Sequence, residues 1–587
     1  MHVAQVVPDL ATFAVDDGFA YVVPDDLDVV VGSIVRIPLG NRRVRGYVVG
    51  LRDGGSEKLK AISAVSGNMA VFDRPLLETL RWAALHYVAP LSVLLGKSRP
   101  PNLPRKEIAS GPWSPATAPA RGDALVESIR DGSRSRPAYV VGPSPWAGTV
   151  GDLVTAAVAG ERSALVVVPT VADGEVVRSH LAASLGDRVV GAWSAMPAAK
   201  ATAAWATAAS EKGSVLVGTR ETAWWRVTDL AVAIVIGEGR RGMKEPQTPA
   251  THVRDVLRRR GAVERFPVVS LGSVPTTETI AAGVEVISRP GRTWPLTEVV
   301  DRSEEAPGSG VLTERARSAL RAVSAASGDA FVLCRQRGDA VWCTQCRALR
   351  LCGACGASIG RSEECPRCSA ATGACPSCGG SRFAAASASA PRVLDELKGV
   401  VGSAAGGPGS GASVIVGTER DMPAAASVDI AVVVDGDGTV FAANYRAAED
   451  AVRLFARLAQ TVRRGRGNRA IVQTSRPDHP VYDAMRSGSP LRFLDEELIA
   501  RRADLFPPLG ELIAVEVSNA LPTTHEDLAS LTKSGATLLG PAVIGDRQRW
   551  LIQGKDLQRV RVALRGVVQS WREGKAKVRV DVDPIDL

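Results

Sequence analysis

The sequence predicts a multidomain α/β protein with two lobes, each built on a parallel β-sheet. At 587 residues the chain is too long for a single hydrophobic core, so three or more domains are expected. Apolar runs of strand length alternate with alanine-rich helical stretches over 138–290, which indicates parallel strands with crossover helices. The pattern resumes in four short apolar runs at 330–334, 413–418, 430–435 and 470–474. A cysteine-rich segment interrupts this second lobe between residues 343 and 378.

Composition favours a protein that acts on an anionic partner in the cytoplasm. Lysine and arginine exceed aspartate and glutamate by nine charges, which is typical of nucleic-acid-binding proteins although many basic proteins bind none. No stretch approaches the about 18 consecutive apolar residues of a membrane-spanning helix. The opening MHVAQVVPDL lacks a basic segment followed by an apolar one, so we expect neither a secretory signal nor a membrane partner.

The N-terminal third of the chain changes character twice. Residues 1–66 read as short β-rich segments punctuated by glycine and proline, which predicts a small barrel or sandwich. Residues 67–105 show helical spacing, with Leu77, Leu80, Ala84 and Tyr87 on one face. Proline, serine, alanine and arginine then dominate, so 106–137 is predicted to be a linker.

The remaining boundaries follow from the same patterns. We expect a first lobe at 138–290 and a second lobe formed by 296–342 and 397–500. The cysteine insertion occupies 343–380, and the stretch rich in glycine, alanine and serine at 384–412 has a flexible composition. Residues 505–587 are expected to form a small α+β domain.

Eight of the nine cysteines form four Cys-x-x-Cys pairs. The pairs are Cys343/Cys346, Cys352/Cys355, Cys365/Cys368 and Cys375/Cys378. One such turn aims two thiolates at one point, and two turns complete a tetrahedral zinc site. Two structural zinc ions are therefore expected. The outer pairs can share one ion and the inner pairs the other, although spacing also permits sequential pairing. Cys334 stands alone on an apolar strand and is interpreted as a buried free thiol.

Two such lobes around a cleft are the architecture of helicase-type NTPases, yet the nucleotide motifs are eroded. A phosphate loop needs G-x-x-x-x-G-K-[ST], whereas Gly142 to Thr149 reads GPSPWAGT and has no lysine. Its two prolines each remove an amide donor. The acidic motif after the apolar strand VAIVI reads Gly237-Glu238-Gly239-Arg240. Gly142, Thr149 and Glu238 are therefore remnant positions without an assigned role, efficient ATP hydrolysis is not expected, and weak nucleotide binding is left open.

These features together resemble the bacterial replication-restart helicase family PriA (primosomal protein N′), over nearly the whole chain. FAYVVP…VGSIVRIPLGNRRVRGYVV resembles the family's 3′-end-binding domain, and RWAALHYVAPLSVLL resembles its winged-helix segment. LGSVPTTE resembles helicase motif III, the eight cysteines match the zinc insertion, and RVRVDVDPIDL matches the end of the C-terminal domain. The resemblance implies two RecA-like helicase lobes with a zinc-ribbon insertion, and it favours the nested pairing of the cysteines.

The resemblance also implies DNA-binding residues. Phe19, Gly40 and Lys60 match the positions that hold the 3′-terminal nucleotide, while the family's aspartate beside the phenylalanine is Ala20 here. A phenyl ring can support a base and a lysine can pair with phosphate. The motif VI remnant supplies arginines that we expect to contact DNA phosphates, with a solvated surface as the alternative. These arginines are Arg463, Arg464 and Arg466, followed by Arg469.

Since several ATP-site motifs depart together, the chain resembles a helicase-deficient branch found in high-GC Gram-positive bacteria. The implied function is replication restart: recognition of stalled or abandoned forks and reloading of the replicative helicase, without efficient unwinding. The implied partners are forked DNA with a 3′ leading-strand end, primosome proteins, and the replicative helicase or its loader, at the nucleoid. Two alternatives remain: an active ATP-dependent 3′→5′ helicase with a divergent nucleotide site, and a zinc-ribbon protein that works chiefly through protein contacts.

Overall fold

The computed structural model gives the protein as five β-sheets with helices packed on them. It describes residues 2–54, 58–104, 113, 123–142, 146–194, 196–288, 292–306, 309–335, 341–346, 348, 350–354, 359, 363–365, 369–385, 389–423, 425–533 and 535–586. Within these ranges, no helix combines the length and the apolar character needed to cross a bilayer.

An antiparallel sheet begins the chain. Its strands are β1 (His2–Pro8), β2 (Phe19–Val23), β3 (Ile34–Leu39), β4 (Arg42–Asp53) and β5 (Ala64–Ser66). Their spatial order is β2–β1–β4–β3–β5. Val22 pairs with Ala61, just before β5, so the sheet curls towards closure. Alternate residues such as Val6, Tyr21 and Ile37 fill the interior.

Two helices follow, α1 (Arg74–His86) and α2 (Leu91–Lys97). The carboxylate of Asp73 caps α1 by accepting a hydrogen bond from Leu76 N–H at 3.0 Å. The leucines and alanine predicted to share one face of α1 are all buried, and they pack on the first sheet and on the first lobe. The described residues from 67 to 104 contain these helices and no β-strand, so the winged-helix assignment stays a prediction.

The first lobe is a seven-stranded parallel sheet. Its strands are β6 (Ala138–Val141), β7 (Ser163–Val167), β8 (Val189–Ala192), β9 (Val215–Gly218), β10 (Leu230–Ile236), β11 (Val268–Gly272) and β12 (Glu285–Ser288). Their order is β12–β6–β11–β10–β7–β9–β8. The helices are α3 (Ala124–Arg130), α4 (Ala147–Ala159), α5 (Val171–Leu185), α6 (Ala198–Ser210), α7 (Val253–Glu264) and α8 (Thr277–Ala281). Every residue of β7 and β10 is buried, as expected for strands covered on both faces.

The second lobe is a six-stranded parallel sheet interrupted by a two-stranded hairpin. The strands in chain order are β13 (Thr297–Asp301), β14 (Ala330–Leu333), β15 (Val341–Cys343), β16 (Phe383–Ala385), β17 (Ala405–Gly406), β18 (Val414–Gly417), β19 (Ile430–Val433) and β20 (Arg469–Thr474). The sheet order is β13–β20–β19–β14–β18–β17, and β15 pairs with β16. The helices are α9 (Glu314–Ala325), α10 (Ala390–Val401), α11 (Gly436–Val440), α12 (Ala447–Gln460), α13 (Pro480–Ser487) and α14 (Leu491–Ala503). Two parallel sheets in this arrangement fit a pair of RecA-like lobes.

Two segments are more ordered than their composition indicated. The interval 384–412, expected to be flexible, contains α10, whose Val393 and Leu397 are fully buried against the second sheet. The predicted linker 106–137 contains α3, whose Leu125 and Ile129 are buried against the first lobe. In both cases a few apolar residues at helical spacing outweigh the small and polar residues around them.

The chain ends in an antiparallel four-stranded sheet with two helices. The elements are β21 (Glu511–Ser518), α15 (Thr524–Thr532), β22 (Thr537–Ile544), β23 (Arg547–Gly554), α16 (Gln558–Glu573) and β24 (Lys577–Val582). The strand order is β22–β23–β21–β24. Helix α16 buries Leu564 and Trp571 on this sheet. Its opposite side reaches the N-terminal domain, where Arg565 pairs with Asp16.

Candidate functional site

Four cysteines of the insertion bring their sulfur atoms together. The Sγ atoms of Cys343, Cys346, Cys375 and Cys378 all lie within 4.8 Å of one another. The Cys343–Cys378 and Cys346–Cys375 Sγ–Sγ distances are both 3.5 Å. These distances exceed the about 2.05 Å of a disulfide and suit thiolates that share one ion at about 2.3 Å. The cluster is compatible with a structural zinc ion, and it joins the first Cys-x-x-Cys pair to the fourth.

Backbone turns aim these thiols. Cys343 N–H donates to Ala348 O at 2.9 Å, and Cys375 N–H donates to Gly380 O at 2.8 Å. A Cβ atom at Gly380 would lie 3.0 Å from Cys343 Sγ, so a side chain there would crowd the sulfur cluster. Close packing against the sulfur cluster therefore explains the glycine at position 380.

The second predicted zinc site lies partly outside the described residues. Cys352 and Cys365 are buried together with Ile359 in a small cluster of the insertion, whereas Cys355 and Cys368 are not among the described residues. The second zinc ion accordingly remains a prediction. Cys334 is buried at the end of β14, and burial raises the pKa of its thiol to about 12, as expected for an unreactive core cysteine.

The three residues predicted to hold a DNA end lie around strand β2. Phe19 opens the strand with a side chain that is 42% exposed. Tyr21 Oη donates to Pro38 O at 3.1 Å, which places β2 beside the β3–β4 turn that contains Gly40. Val22 N–H donates to Lys60 O at 3.0 Å. Gly40 has φ 56°, and a Cβ atom there would meet open space, so the turn conformation requires glycine and close packing does not.

The arginines predicted to contact DNA differ in whether they have partners among the described residues of the protein. Arg463 has carboxylate partners in its own lobe, with Nη2 2.7 Å from Asp329 Oδ2 and Nη1 3.0 Å from Asp429 Oδ2. These ion pairs compete with any phosphate contact by Arg463. Arg464 and Arg466 are exposed, and the prediction of a DNA contact is retained for them.

The remnant of the phosphate loop is in contact with the second lobe. Gly142 is buried after β6, and its carbonyl accepts a hydrogen bond from Gln460 Nε2 at 3.3 Å. Gln460, at the end of α12, also donates to Thr293 O at 3.2 Å. Residues 143–145 lie outside the described ranges, and Thr149 lies in the first turn of α4. One glutamine thus joins the second lobe to the loop after β6, which the sequence predicts to be a phosphate-loop remnant.

Glu238, the remaining acidic residue of the predicted magnesium motif, is hydrogen-bonded to other side chains of the protein. Glu238 is fully buried, and its carboxylate accepts hydrogen bonds from Ser270 Oγ and Thr276 Oγ1, both at 2.8 Å. Thr279 also donates to it, and Arg258 Nη2 lies 3.6 Å away. The motif III segment therefore satisfies the carboxylate.

An arginine from the second lobe fills the space beside Glu238. A Cβ atom at Gly239 would lie 2.5 Å from Arg453 Nε, so no side chain fits there without moving the arginine. Arg453 belongs to α12 and pairs with Asp450 at 2.7 Å. Glycine at position 239 therefore leaves room for a cation from the other lobe.

Glu449 is the centre of a buried ion network between the lobes. Its carboxylate accepts hydrogen bonds from both Thr277 N–H and Thr277 Oγ1, each at 3.0 Å, at the start of α8 in the first lobe. Arg501 Nη2 of α14 donates to it at 2.6 Å. Burial raises the pKa of Glu449, but the neighbouring guanidinium groups of Arg453, Arg446 and Arg501 outweigh that effect and lower the pKa to about 2.

A second buried pair reinforces the same contact. Glu278 in α8 accepts from Arg446 Nη2 at 2.9 Å, across the lobe boundary, and Arg254 Nη1 lies 3.2 Å from it within the first lobe. Although burial raises the pKa of Glu278, these arginines hold it well below its usual range. Both carboxylates are therefore charged at neutral pH and bind the lobes together.

Sequence reasoning missed this network. Glu449 and Arg501 each lie three or four residues from an opposite charge on their own helices, which reads as an ordinary solvated helix face. Only the tertiary contact with α8 shows that Glu449 and Arg501 are buried. The sequence identifies LGSVPTTE as a motif, but the spacing of its threonines does not indicate that they bind carboxylates.

Comparison with known proteins finds similarity to one family, in the N-terminal region and over most of the chain. The model of the PriA 3′DNA-binding domain (3'BD) matches residues 5–98, across the boundary predicted at residue 66. The replication restart protein PriA of Synechocystis is 24% identical over 502 residues, which cover 73% of this chain and 59% of that protein. The probable replication restart protein PriA of Mycobacterium bovis is 24% identical over 648 residues, which cover 97% of this chain and 99% of that protein.

Likeness to solved structures is weaker. RecG bound to a three-way DNA junction aligns with 63% of this chain and 45% of that chain, with 12% identity and a TM-score of 0.35. The DExH-box NTPase HrpB of E. coli aligns with 62% of this chain and 43% of that chain, with 10% identity and a TM-score of 0.33. Scores this low carry no argument about this chain.

Proposed function

We propose that this chain, which is similar to PriA replication restart proteins over most of its length, is a member of that family. We propose that it recognises stalled or abandoned replication forks and promotes reloading of the replicative helicase without ATP-driven unwinding. Its role is to bind and position DNA and proteins. The DNA it recognises is a fork with a 3′ leading-strand end, and its protein partners are primosome components and the replicative helicase or its loader. It acts in the cytoplasm, at the nucleoid.

The DNA-binding part of the proposal is supported by the surface around β2. An exposed phenyl ring at Phe19 offers a stacking platform for a terminal base, and Lys60 offers a charge for its phosphate. Both residues, and the turn at Gly40, lie within the residues matched by the 3′DNA-binding domain model. Stacking tolerates any base, as recognition of a fork at an arbitrary sequence requires.

The contact between the lobes supports the proposal that the chain does not unwind DNA with ATP. A nucleotide-driven motor works by opening and closing the cleft between its lobes. Here Glu449 and Arg501 of the second lobe are buried against Thr277 of the first. Opening the cleft would separate several buried charged groups from their partners at the same time. The chain therefore holds its cleft closed with its own side chains.

The zinc insertion and the domain arrangement complete the proposal. We assign a structural zinc ion to Cys343, Cys346, Cys375 and Cys378 and a second one to Cys352, Cys355, Cys365 and Cys368, since thiolate ligands alone leave no open position for catalysis. The parallel-sheet lobes are assigned as degenerate helicase lobes, and residues 505–587 as the C-terminal domain.

The test is fork binding and ATPase activity measured on the same full-length protein. Fluorescence anisotropy compares a fork whose leading strand ends with a 3′ hydroxyl at the junction with the same fork carrying a 3′ phosphate. We expect tighter binding to the free 3′ end and no fork-stimulated hydrolysis. Phe19→Ala should remove about 1–3 kcal/mol of that binding, whereas Val30→Ala, at a position that is also exposed, should not.

Two outcomes would contradict the proposal. Equal binding to both forks would remove the 3′-end recognition. Fork-stimulated hydrolysis that is lost in Glu238→Ala would show a working motor and favour the ATP-dependent helicase.

A further inference from the structure

Three arginines form a ladder on one face of the β3–β4 hairpin. Arg36 in β3 lies directly opposite Arg45 in β4, and Arg43 lies opposite Pro38 one step nearer the turn. Residues directly opposite one another, and alternate residues along one strand, share a face of a sheet. The three guanidinium groups therefore leave the sheet on the same side. We refer to Arg36, Arg43 and Arg45 as the arginine ladder.

The ladder has no counter-charge within the described part of the protein. All three side chains are exposed, and none of them forms an ion pair with a described residue. Nearby Arg99, by contrast, pairs with Asp9 at 3.4 Å. Like charges placed directly opposite each other on two strands destabilise a sheet. The arrangement costs the domain stability unless an external anion binds between the arginines.

The face that carries the ladder changes from core to solvent along the hairpin. Ile34 and Tyr47, which form the next pair on this face, are fully buried under α1 and α2. The next pair towards the turn is Arg36 and Arg45, which no described element covers. Packing of the core therefore does not require arginine at these positions.

The ladder lies on the outer face of the sheet and ends at the hairpin turn beside β2. The hairpin closes at Gly40 and Asn41, and Tyr21 Oη of β2 donates to Pro38 O, opposite Arg43. Alternate residues of a strand are about 7 Å apart, so successive arginines of the ladder can reach different phosphates of one DNA strand. A DNA strand that crosses the hairpin turn from β2 to the outer face would bring its phosphates to the ladder.

We propose that the arginine ladder binds neighbouring phosphates of the DNA strand whose 3′ end is held at Phe19 and Gly40. The inference rests on the proposed function and adds a phosphate-binding surface to its end-binding site. The ladder supplies affinity that is independent of sequence and of the 3′ end, while Phe19 supplies the preference for the end. The two contributions can therefore be removed separately.

The test is the salt dependence of fork binding by the full-length protein. Each phosphate contact contributes about 0.7–0.9 to the slope of log K against log salt concentration. Arg36→Gln/Arg43→Gln/Arg45→Gln should lower the slope by about 2–3 and should leave the ratio of affinities for free and blocked 3′ ends unchanged. A control that also removes three exposed arginine charges, Arg492→Gln/Arg502→Gln/Arg559→Gln, should keep the wild-type slope. Phe19→Ala should reduce the ratio and keep the slope.

Thermal unfolding separates a binding role from a structural one. Since the ladder arginines repel one another, the triple variant should unfold at a temperature no lower than the wild type. A clearly lower Tm would make the arginines structural and overturn the inference.

Further outcomes locate any failure. A wild-type slope in the triple variant, with normal preference for the 3′ end, would overturn the ladder and leave the proposed function standing. Loss of binding to poly-L-glutamate in that variant, with an unchanged fork slope, would assign the ladder to an acidic protein instead. Failure of the wild-type protein to bind forks at all would overturn both proposals.

Discussion

The network between the lobes predicts a large response to Glu449→Ala. Glu449 is fully buried and accepts hydrogen bonds from Arg501, from Arg453 and from both donors of Thr277. Removing one partner of a buried charge network costs about 3–5 kcal/mol, because the remaining charges stay buried with fewer partners. Arg501 retains Glu497 at 2.9 Å, so we expect a loss near the lower value, about 3 kcal/mol, in the free energy of lobe association.

Native-state hydrogen exchange at Ile280 of α8 measures this loss. Its amide N–H donates to Thr276 O, an acceptor that the variant keeps, and Ile280 packs against the core of the second lobe, so its exchange reports on separation of the lobes. A loss of about 3 kcal/mol corresponds to about 100-fold faster exchange. Glu496→Ala removes an exposed ion pair with Arg492 and should change exchange by less than about threefold. Unchanged protection of Ile280 in Glu449→Ala would refute the claim that these charges hold the lobes together.

Three further predictions test other parts of the molecule. Burial raises the pKa of Asp583 from 3.8 to about 6, so the folded state keeps a proton that the unfolded chain releases, and the associated stability is lost as pH rises through that window. Asp583→Asn should therefore stabilise the protein at pH 7 by on the order of 2–3 kcal/mol and have little effect at pH 4, as thermal unfolding at the two pH values would show. Cys346→Ser should reduce the zinc content from two ions per chain to one, and Cys334→Ser should leave two, measured with a colorimetric chelator after denaturation. In Gly239→Glu the added Cβ would lie 2.5 Å from Arg453 Nε, so the flexible arginine side chain must move. The variant gains an acidic residue and should still give no fork-stimulated ATPase activity.

The sequence predicts the strands that are buried on both faces better than those at the sheet edges. β7 and β10 are continuous apolar runs, and their burial on both sides leaves a clear pattern. β12 lies at an edge of its sheet and starts and ends with exposed residues, so it has no comparable pattern. β17 has two residues, too few for any periodicity. The sequence does not predict helix α10, because glycine, alanine and serine surround the few apolar residues that the helix buries.

The candidate sites divide in the same way between local and tertiary signals. Cys-x-x-Cys spacing is local, and the four sulfur atoms of the outer pairs lie together as the nested arrangement requires. The role of Arg463 depends on Asp329 and Asp429, which are distant in sequence, so its basic neighbours suggested a phosphate contact that two carboxylates compete for. The basic run NRRVR contains two of the three arginines of the ladder, and only the strand register shows that Arg36 lies opposite Arg45.

Contacts between domains bear on the proposed function because they join the DNA-binding sheet to the rest of the protein. Gln569 Oε1 of α16 accepts from Thr12 Oγ1 at 3.0 Å in the N-terminal domain. At the other end of the same C-terminal domain, Asp581 Oδ1 lies 2.7 Å from Lys244 Nζ in the first lobe, and Pro584 O accepts from Tyr445 Oη of the second lobe at 3.1 Å. Separation of the lobes would therefore strain the chain terminus as well as the buried ion network. A fork end bound at β2 would then be held at a fixed position relative to both lobes, as the proposed binding and positioning role requires.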